Sequence, residues 1–173
     1  MNLEPGVIRI AGVVRESIVD GPGIRYVVFA QGCPHRCEGC HNEGTIDFSG
    51  GKLTETEKIL ADIEKDPLIS GVTFSGGEPF CQAEEFSRLA LRLKEKGMNI
   101  MTYSGYTYEE LLRLSARDEY IKTLLDNTDI LVDGPFILKK RDLELQFKGS
   151  TNQRYIDMNA TRAQRRLVCL ENL

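Results

Sequence analysis

The sequence predicts an α/β fold, an open partial (β/α) barrel around a mostly parallel sheet. Three observations predict it. Strand-like and helix-like runs alternate along the middle of the chain, the signature of right-handed βαβ units. The chemically unusual loops each follow a strand. Three or four βα units are also too few to close an eight-stranded barrel.

Two apolar runs come first, Val7–Val14 and Ile24–Ala30, separated by the turn sequence Asp20-Gly21-Pro22-Gly23. A polar, glycine-rich loop then carries three cysteines between Gly32 and Gly51. Thr54 with Glu57 has the spacing of a capping box, predicting a helix to about Asp66 that turns Leu60 and Ile63 inward. Gly71–Ser75 reads as a short buried strand. Glu84–Lys96 reads as a helix, with Phe86, Leu89, Ala90 and Leu93 on one face, and Gly97 ends it. Asn99–Tyr103 is the next strand. Thr107 and Glu110 repeat the capping-box spacing before a third helical stretch reaching Asn127, and Asp129–Val132 is a further strand.

With 173 residues and no repeat or linker, the chain reads as one domain spanning 1–173. No apolar run approaches the ~20 residues that span a bilayer, and the start Met1-Asn2-Leu3-Glu4-Pro5-Gly6 lacks the pattern of a signal peptide. A cytoplasmic protein with no membrane partner is expected. The net charge of −4 argues against nucleic acid. Lys139-Lys140-Arg141 and Arg162, Arg165 and Arg166 read as solvated faces.

Three of the five cysteines fall within eight residues, in Cys33-Pro34-His35-Arg36-Cys37-Glu38-Gly39-Cys40-His41-Asn42. In a reducing compartment such crowding points to a metal site and away from disulfides. A CxxxCxxC loop can wrap three corners of a four-iron cube, leaving one iron for substrate chemistry. The cysteines alone also admit a structural zinc site, completed by His35 or His41. Read singly, His35 and His41 are supporting or surface residues, and Cys81 and Cys169 are incidental thiols.

The loop Ser75-Gly76-Gly77-Glu78-Pro79 decides between these. Its two glycines permit a backbone too tight for side chains, one βα unit after the cysteines. With this combination the chain resembles the radical S-adenosylmethionine superfamily, and within it the activating proteins of anaerobic ribonucleoside-triphosphate reductases. Asp20–Gly23, Tyr103-Ser104-Gly105-Tyr106, Leu131–Phe136 and Phe147–Arg154 carry the likeness through nearly all the chain. Activases of the pyruvate formate-lyase type share the early motifs but look longer; they are the alternative, with a zinc-stabilised binding module as the reading from another class.

The resemblance implies a [4Fe–4S] cluster on Cys33, Cys37 and Cys40, with S-adenosylmethionine on the fourth iron. Gly76, Gly77 and Glu78 are expected to present backbone groups to its methionyl end. Gly39, Cys40 and His41 would pass near the adenine, and Asp133 joins the cofactor-binding set. No catalytic residue is expected beyond the cluster and cofactor. The implied partners are the glycyl radical subunit of anaerobic ribonucleoside-triphosphate reductase and a low-potential electron donor such as flavodoxin. Two departures stand out. Lys148 replaces an expected arginine, losing the bidentate fork. Gly39 replaces an aromatic, leaving His41 or Tyr103 to stack on adenine. A side chain at Gly77 is expected to displace the loop from the cofactor while sparing fold and iron. Lys148–Arg154 reads either as lining the mouth of the barrel or as a capping turn at the sheet edge.

Overall fold

The computed structural model describes residues 3–173. Met1 and Asn2, part of the stretch read above for a signal sequence, lie outside them. Among the described residues no helix is long and apolar enough to cross a membrane.

The chain begins with strands β1 (Val7–Ser17) and β2 (Arg25–Ala30), and the short strand β3 (Lys52–Glu55) leads directly into helix α1 (Thr56–Glu64). Then follow β4 (Gly71–Gly76), α2 (Ala83–Glu95), β5 (Asn99–Tyr103), α3 (Tyr108–Ser115), α4 (Glu119–Asp126) and β6 (Ile130–Asp133). The chain closes with β7 (Arg154–Asp157), α5 (Met158–Gln164) and β8 (Cys169–Leu170). All eight strands form one sheet in the order β3-β1-β2-β4-β5-β6-β7-β8. The sheet is open, with β3 and β8 as its edges.

Parallel pairing is confined to the four central strands, β2-β4-β5-β6; the flanking pairings are antiparallel. Connection length explains the division. Parallel neighbours need a crossover, and the central strands have helical ones. The turn from β1 to β2 and the excursion 134–153 between β6 and β7 return to the end they left, so their strands must run antiparallel.

The central strands advance across the sheet in one direction, so every right-handed crossover places its helices on the same face. Strand alternation sorts the side chains accordingly. Tyr26, Val28, Ala30, Val72, Phe74, Ile100, Leu131 and Ile156 pack in one core with Ile59, Leu60 and Ile63 of α1, Phe86, Leu89 and Leu93 of α2, and Leu124 of α4. The intervening residues project from the other face, where Met101, Val132 and Tyr155 form a smaller cluster joined by Tyr103 and Phe147. That face carries no helix, and it is where a site can form.

Some local expectations change. The Thr54–Glu57 capping box does not form: Thr54 lies in β3, held by pairing to Ile8, and α1 starts behind Glu55 without a side-chain cap. Edge pairing outcompeted the cap. The Thr107–Glu110 box is present in both halves. The single helix expected to reach Asn127 is two, because Asp118 caps a new start, accepting from the backbone N–H groups of Tyr120 and Ile121. Strands β3, β7 and β8 and helix α5 were not read from the sequence.

Candidate active site

The carboxyl ends of β2, β4, β5 and β6 share one rim because these strands are parallel. Their following loops enclose a cavity of about 360 Å3, lined by Cys33, His35, Cys37, Cys40, His41 and Asn42 from the first loop. Ser75, Gly76 and Gly77 line it from the second, Tyr103, Ser104 and Gly105 from the third, and Gly134 and Phe136 from the fourth. Phe29, Ser75 and Tyr103 point into it from the helix-free face by strand alternation. Asp20 and Val19 enter from the β1–β2 turn, and Phe147, Lys148 and Gln153 from the excursion before β7.

The cysteine loop is closed by its own backbone. Gly32 N donates to Thr45 O at 2.7 Å, and Cys33 N donates to Ile46 O at 3.0 Å. Gln31, buried beneath, donates through Nε2 to the carbonyls of Gly44 and Asp47 at 3.1 and 2.7 Å. The turn itself lies at Glu38-Gly39, closed by Cys40 N donating to Cys37 O at 3.2 Å, and Arg36 ahead of it has a φ of 48°, in the left-handed region. A non-glycine residue there carries about 1–3 kcal/mol of strain and persists only where its surroundings hold it.

All five cysteines are free thiols. Cys40 Sγ accepts from the backbone N–H of Asn42 at 3.4 Å. Burial pushes the Cys33 thiol above its ordinary range, with Glu78 nearby adding to the effect; metal coordination deprotonates such a thiol outright. Cys81 is exposed as a residue, yet desolvation of its sulfur, with lesser contributions from Glu78 and Cys33, pushes its thiol up to about 12. It therefore stays protonated at neutral pH, and it does not line the cavity.

Three free thiols on one loop, opening onto one cavity beside Gly76 and Gly77, suit a cubane cluster, in which each thiolate binds its own iron. His35 is not free to complete a zinc site with them. It directs Nε2 to Glu78 at 2.8 Å.

The residues expected to contact cofactor divide. Cys40, His41, Gly76 and Gly77 line the cavity; Gly39, Glu78 and Asp133 do not. Gly39 faces outward into a second depression with Arg36 and Glu38, one wall of which is Cys37. Backbone N–H groups of the glycine loop are already used: Gly77 N donates to Ala30 O at 2.8 Å and Glu78 N to Gly32 O at 2.9 Å. The side chain of Glu78 is fully buried and serves as an anchor for neighbouring loops. Asp133 is buried in an ion network. It accepts from Arg154 Nε at 3.0 Å and from Tyr108 N at 2.7 Å, while Arg154 reaches Glu109 as well.

Gly77 also corrects an expectation. A Cβ added there would meet Gly32 O at 2.4 Å and Thr45 O at 2.9 Å, both backbone atoms of the cysteine loop. A side chain at this position therefore strikes the loop that carries the thiols, and does not spare it. The segment Lys148–Arg154 forms a turn and lines the cavity, but it does not cap the sheet edge, because it leads into β7, which pairs on both sides. Gln153 Oε1 accepts from Gly149 N and Ser150 N at 2.9 and 3.1 Å, closing a turn, while Lys148, Gly149 and Gln153 line the cavity. Lys148 donates to Gln153 O at 3.2 Å and sits 4.4 Å from the centre of the Tyr155 ring. Phe136 was missed from the sequence: its ring lies 5.1 Å from His41, making one aromatic wall of the cavity. The apolar Phe after Asp133-Gly134-Pro135 was the available signal. Tyr103 also lines the cavity, its hydroxyl donating to Phe147 O at 2.6 Å.

Comparison with known proteins agrees with this geometry. Residues 19–156 match the family model of the 4Fe–4S single cluster domain. The anaerobic ribonucleoside-triphosphate reductase-activating protein of Vibrio cholerae is 39% identical over 145 residues, covering 79% of this chain and 89% of that one. The protein of the same name from Enterobacteria phage T4 is 34% identical over 142 residues, covering 79% and 85%. The pyruvate formate-lyase-activating enzyme of Clostridium pasteurianum is 40% identical over 114 residues, but these are 61% of this chain and 48% of that enzyme.

Proposed function

Because the chain belongs to the family of anaerobic ribonucleoside-triphosphate reductase-activating proteins, we propose that it is the radical S-adenosylmethionine oxidoreductase that installs a glycyl radical on such a reductase. The observation that carries this reading is the single cavity shared by Cys33, Cys37 and Cys40 with Gly76 and Gly77. Bound there, a [4Fe–4S] cluster and S-adenosylmethionine supply one-electron reductive cleavage and the radical that takes hydrogen from a glycine Cα.

The protein's own residues bind, orient and exclude water. The three thiols hold the cluster at the first rim loop. Gly76 and Gly77 let the second loop approach it with backbone alone, and His41 with Phe136 offers an aromatic wall for the adenine. Lys148 brings a positive charge to the cavity and suits the carboxylate of the methionyl end. The helix-free face and open sheet leave room for a polypeptide loop, and hydrogen abstraction needs its glycine within about 3–3.5 Å of the reacting carbon.

The electron comes from a low-potential donor of the flavodoxin kind in the cytoplasm. Cys37 lines both the cavity and the outer depression beside Arg36 and Glu38, so a donor docked at that depression would stand next to a cluster ligand. Residues 1–173 act as one activase unit, supported by the single sheet that runs from β1 to β8.

The test is anaerobic. Protein reconstituted with iron and sulfide, then reduced and mixed with S-adenosylmethionine and the reductase, gives a glycyl doublet in electron paramagnetic resonance. The doublet collapses when the reductase carries α-deuterated glycine, and deuterium appears in 5′-deoxyadenosine. Cleavage without that transfer would mean a different target, and no cleavage at all would overturn the activity.

A further inference from the structure

We infer that His35 is a positioning residue: its imidazole and the Glu78 carboxylate form a latch that fixes the cysteine loop against the two neighbouring rim loops, and so sets where S-adenosylmethionine meets the cluster. The inference rests on the function proposed above.

Glu78 is fully buried, and a buried carboxylate must be paired. Its Oε1 accepts from Phe80 N at 3.1 Å and from Ser104 Oγ at 3.0 Å. Its Oε2 accepts from Gly105 N at 2.9 Å, again from Ser104 Oγ at 3.0 Å, and from His35 Nε2 at 2.8 Å. A carboxylate only accepts, so Nε2 carries the proton and donates. The donors come from three segments. Phe80 belongs to the glycine loop's own continuation, and Ser104 and Gly105 to the loop after β5. His35 alone comes from the cysteine loop.

The imidazole is seated against two neighbours in the loop after β5. Its edge packs on Tyr106, with ring centres 4.4 Å apart and planes at 78°. The Gly105 backbone approaches so closely that an added Cβ would stand 2.3 Å from the His35 ring. No side chain larger than hydrogen lets the two loops meet this way.

His35 lies two residues from Cys33 and two from Cys37, with the left-handed Arg36 between. Its ring is thus tied to the short stretch that joins the two thiols, and the latch is a side-chain tie that holds the left-handed backbone at Arg36 in place. The other donors to Glu78 are independent of His35. Losing the imidazole N–H leaves the carboxylate still satisfied and the fold intact, with Gly32 still held to Glu78 N by its backbone, while the stretch between Cys33 and Cys37 loses its side-chain tie to the glycine loop.

The test compares wild type with His35→Phe, which keeps the ring against Tyr106 but has no donor, and His35→Gln, which restores an N–H at about the same reach. Each is reconstituted anaerobically. Iron and sulfide are counted, and S-adenosylmethionine is titrated against the reduced cluster by electron paramagnetic resonance. His35→Phe is expected to keep its cluster, bind S-adenosylmethionine about tenfold more weakly, the scale of one hydrogen bond to a charged group, and show an altered line shape with cofactor. His35→Gln is expected to recover both. In a Glu78→Gln background the further substitution His35→Phe should add little, because the pair acts as one unit.

Wild-type affinity and line shape in His35→Phe would overturn the latch, as would equal impairment in Phe and Gln variants. If His35→Phe holds no iron, Glu78→Gln decides on the same titration. Full iron with weakened affinity supports the latch, and unchanged affinity overturns it. A wild type that cleaves cofactor while these variants behave normally removes the latch alone. A wild type that never cleaves removes the function beneath it.

Discussion

The Cα of Gly77 lies so close to Gly32 that a methyl group built on it would stand 2.4 Å from the Gly32 carbonyl oxygen. The glycine loop and the cysteine loop are therefore in backbone contact, and neither can be altered without the other.

Gly77→Val is accordingly expected to lose iron as well as S-adenosylmethionine affinity. Gly12→Ala, where an added Cβ meets nothing within 4 Å, should change neither. Iron analysis of the two reconstituted variants checks this. A Gly77→Val protein with a full cluster would contradict the contact.

Replacing Cys33, Cys37 or Cys40 by Ala should each abolish the cluster, while Cys81→Ala and Cys169→Ala keep it. Cys81 lies outside the cavity with a thiol that burial keeps protonated. Iron, sulfide and the visible absorbance of the brown protein are the readouts. Loss of the cluster in Cys81→Ala would mean the fourth iron is not open.

Asp133 is expected to act on stability and not on cofactor. Arg154→Ala leaves its buried carboxylate without its main partner, a loss of about 3–5 kcal/mol and a fall in melting temperature on the order of 10 °C. Asp133→Asn should lower the melting temperature while cofactor affinity is kept in the reconstituted protein. A selective loss of affinity at unchanged stability would return Asp133 to the cofactor site.

Asp129 couples stability to acid. Burial alone would raise its carboxyl, but Lys94 at 2.8 Å, Ile100 N at 2.7 Å and Asn159 at 3.0 Å hold it below the ordinary aspartate range. A depressed carboxylate stabilises the fold above its unfolded value of about 3.9. That contribution disappears as pH falls through the lower folded value. Asp129→Asn should therefore flatten the decline of melting temperature from about pH 5 downward. Parallel profiles for wild type and variant would contradict this.

Asp118→Ala should cost about 1 kcal/mol, the worth of an N-cap, seen as a drop of roughly 2–4 °C in melting temperature. It separates α3 from α4 through its contacts to Tyr120 N and Ile121 N. No change would mean that the break between the helices is set elsewhere.

The chemistry was legible because it resides in spacing. CxxxCxxC, the paired glycines after a buried strand, and the order of strands and helices are all local, and they determined the α/β class, the cluster and the rim on which it sits. The capping box at Thr107 was legible for the same reason. Thr54 was misread because its strand pairing with β1 is a long-range contact that no local pattern records. Only the tertiary structure decided which rim residues face the cavity. Glu78 follows β4 and Asp133 ends β6, each beside lining residues, yet both carboxylates turn inward, because donors from His35, Ser104, Arg154 and Tyr108 meet them there. Phe136, Lys148 and Gln153 reach the cavity because the excursion from β6 returns antiparallel to the same end of the sheet. A residue type states what a side chain can do; the packing of distant segments decides where it points.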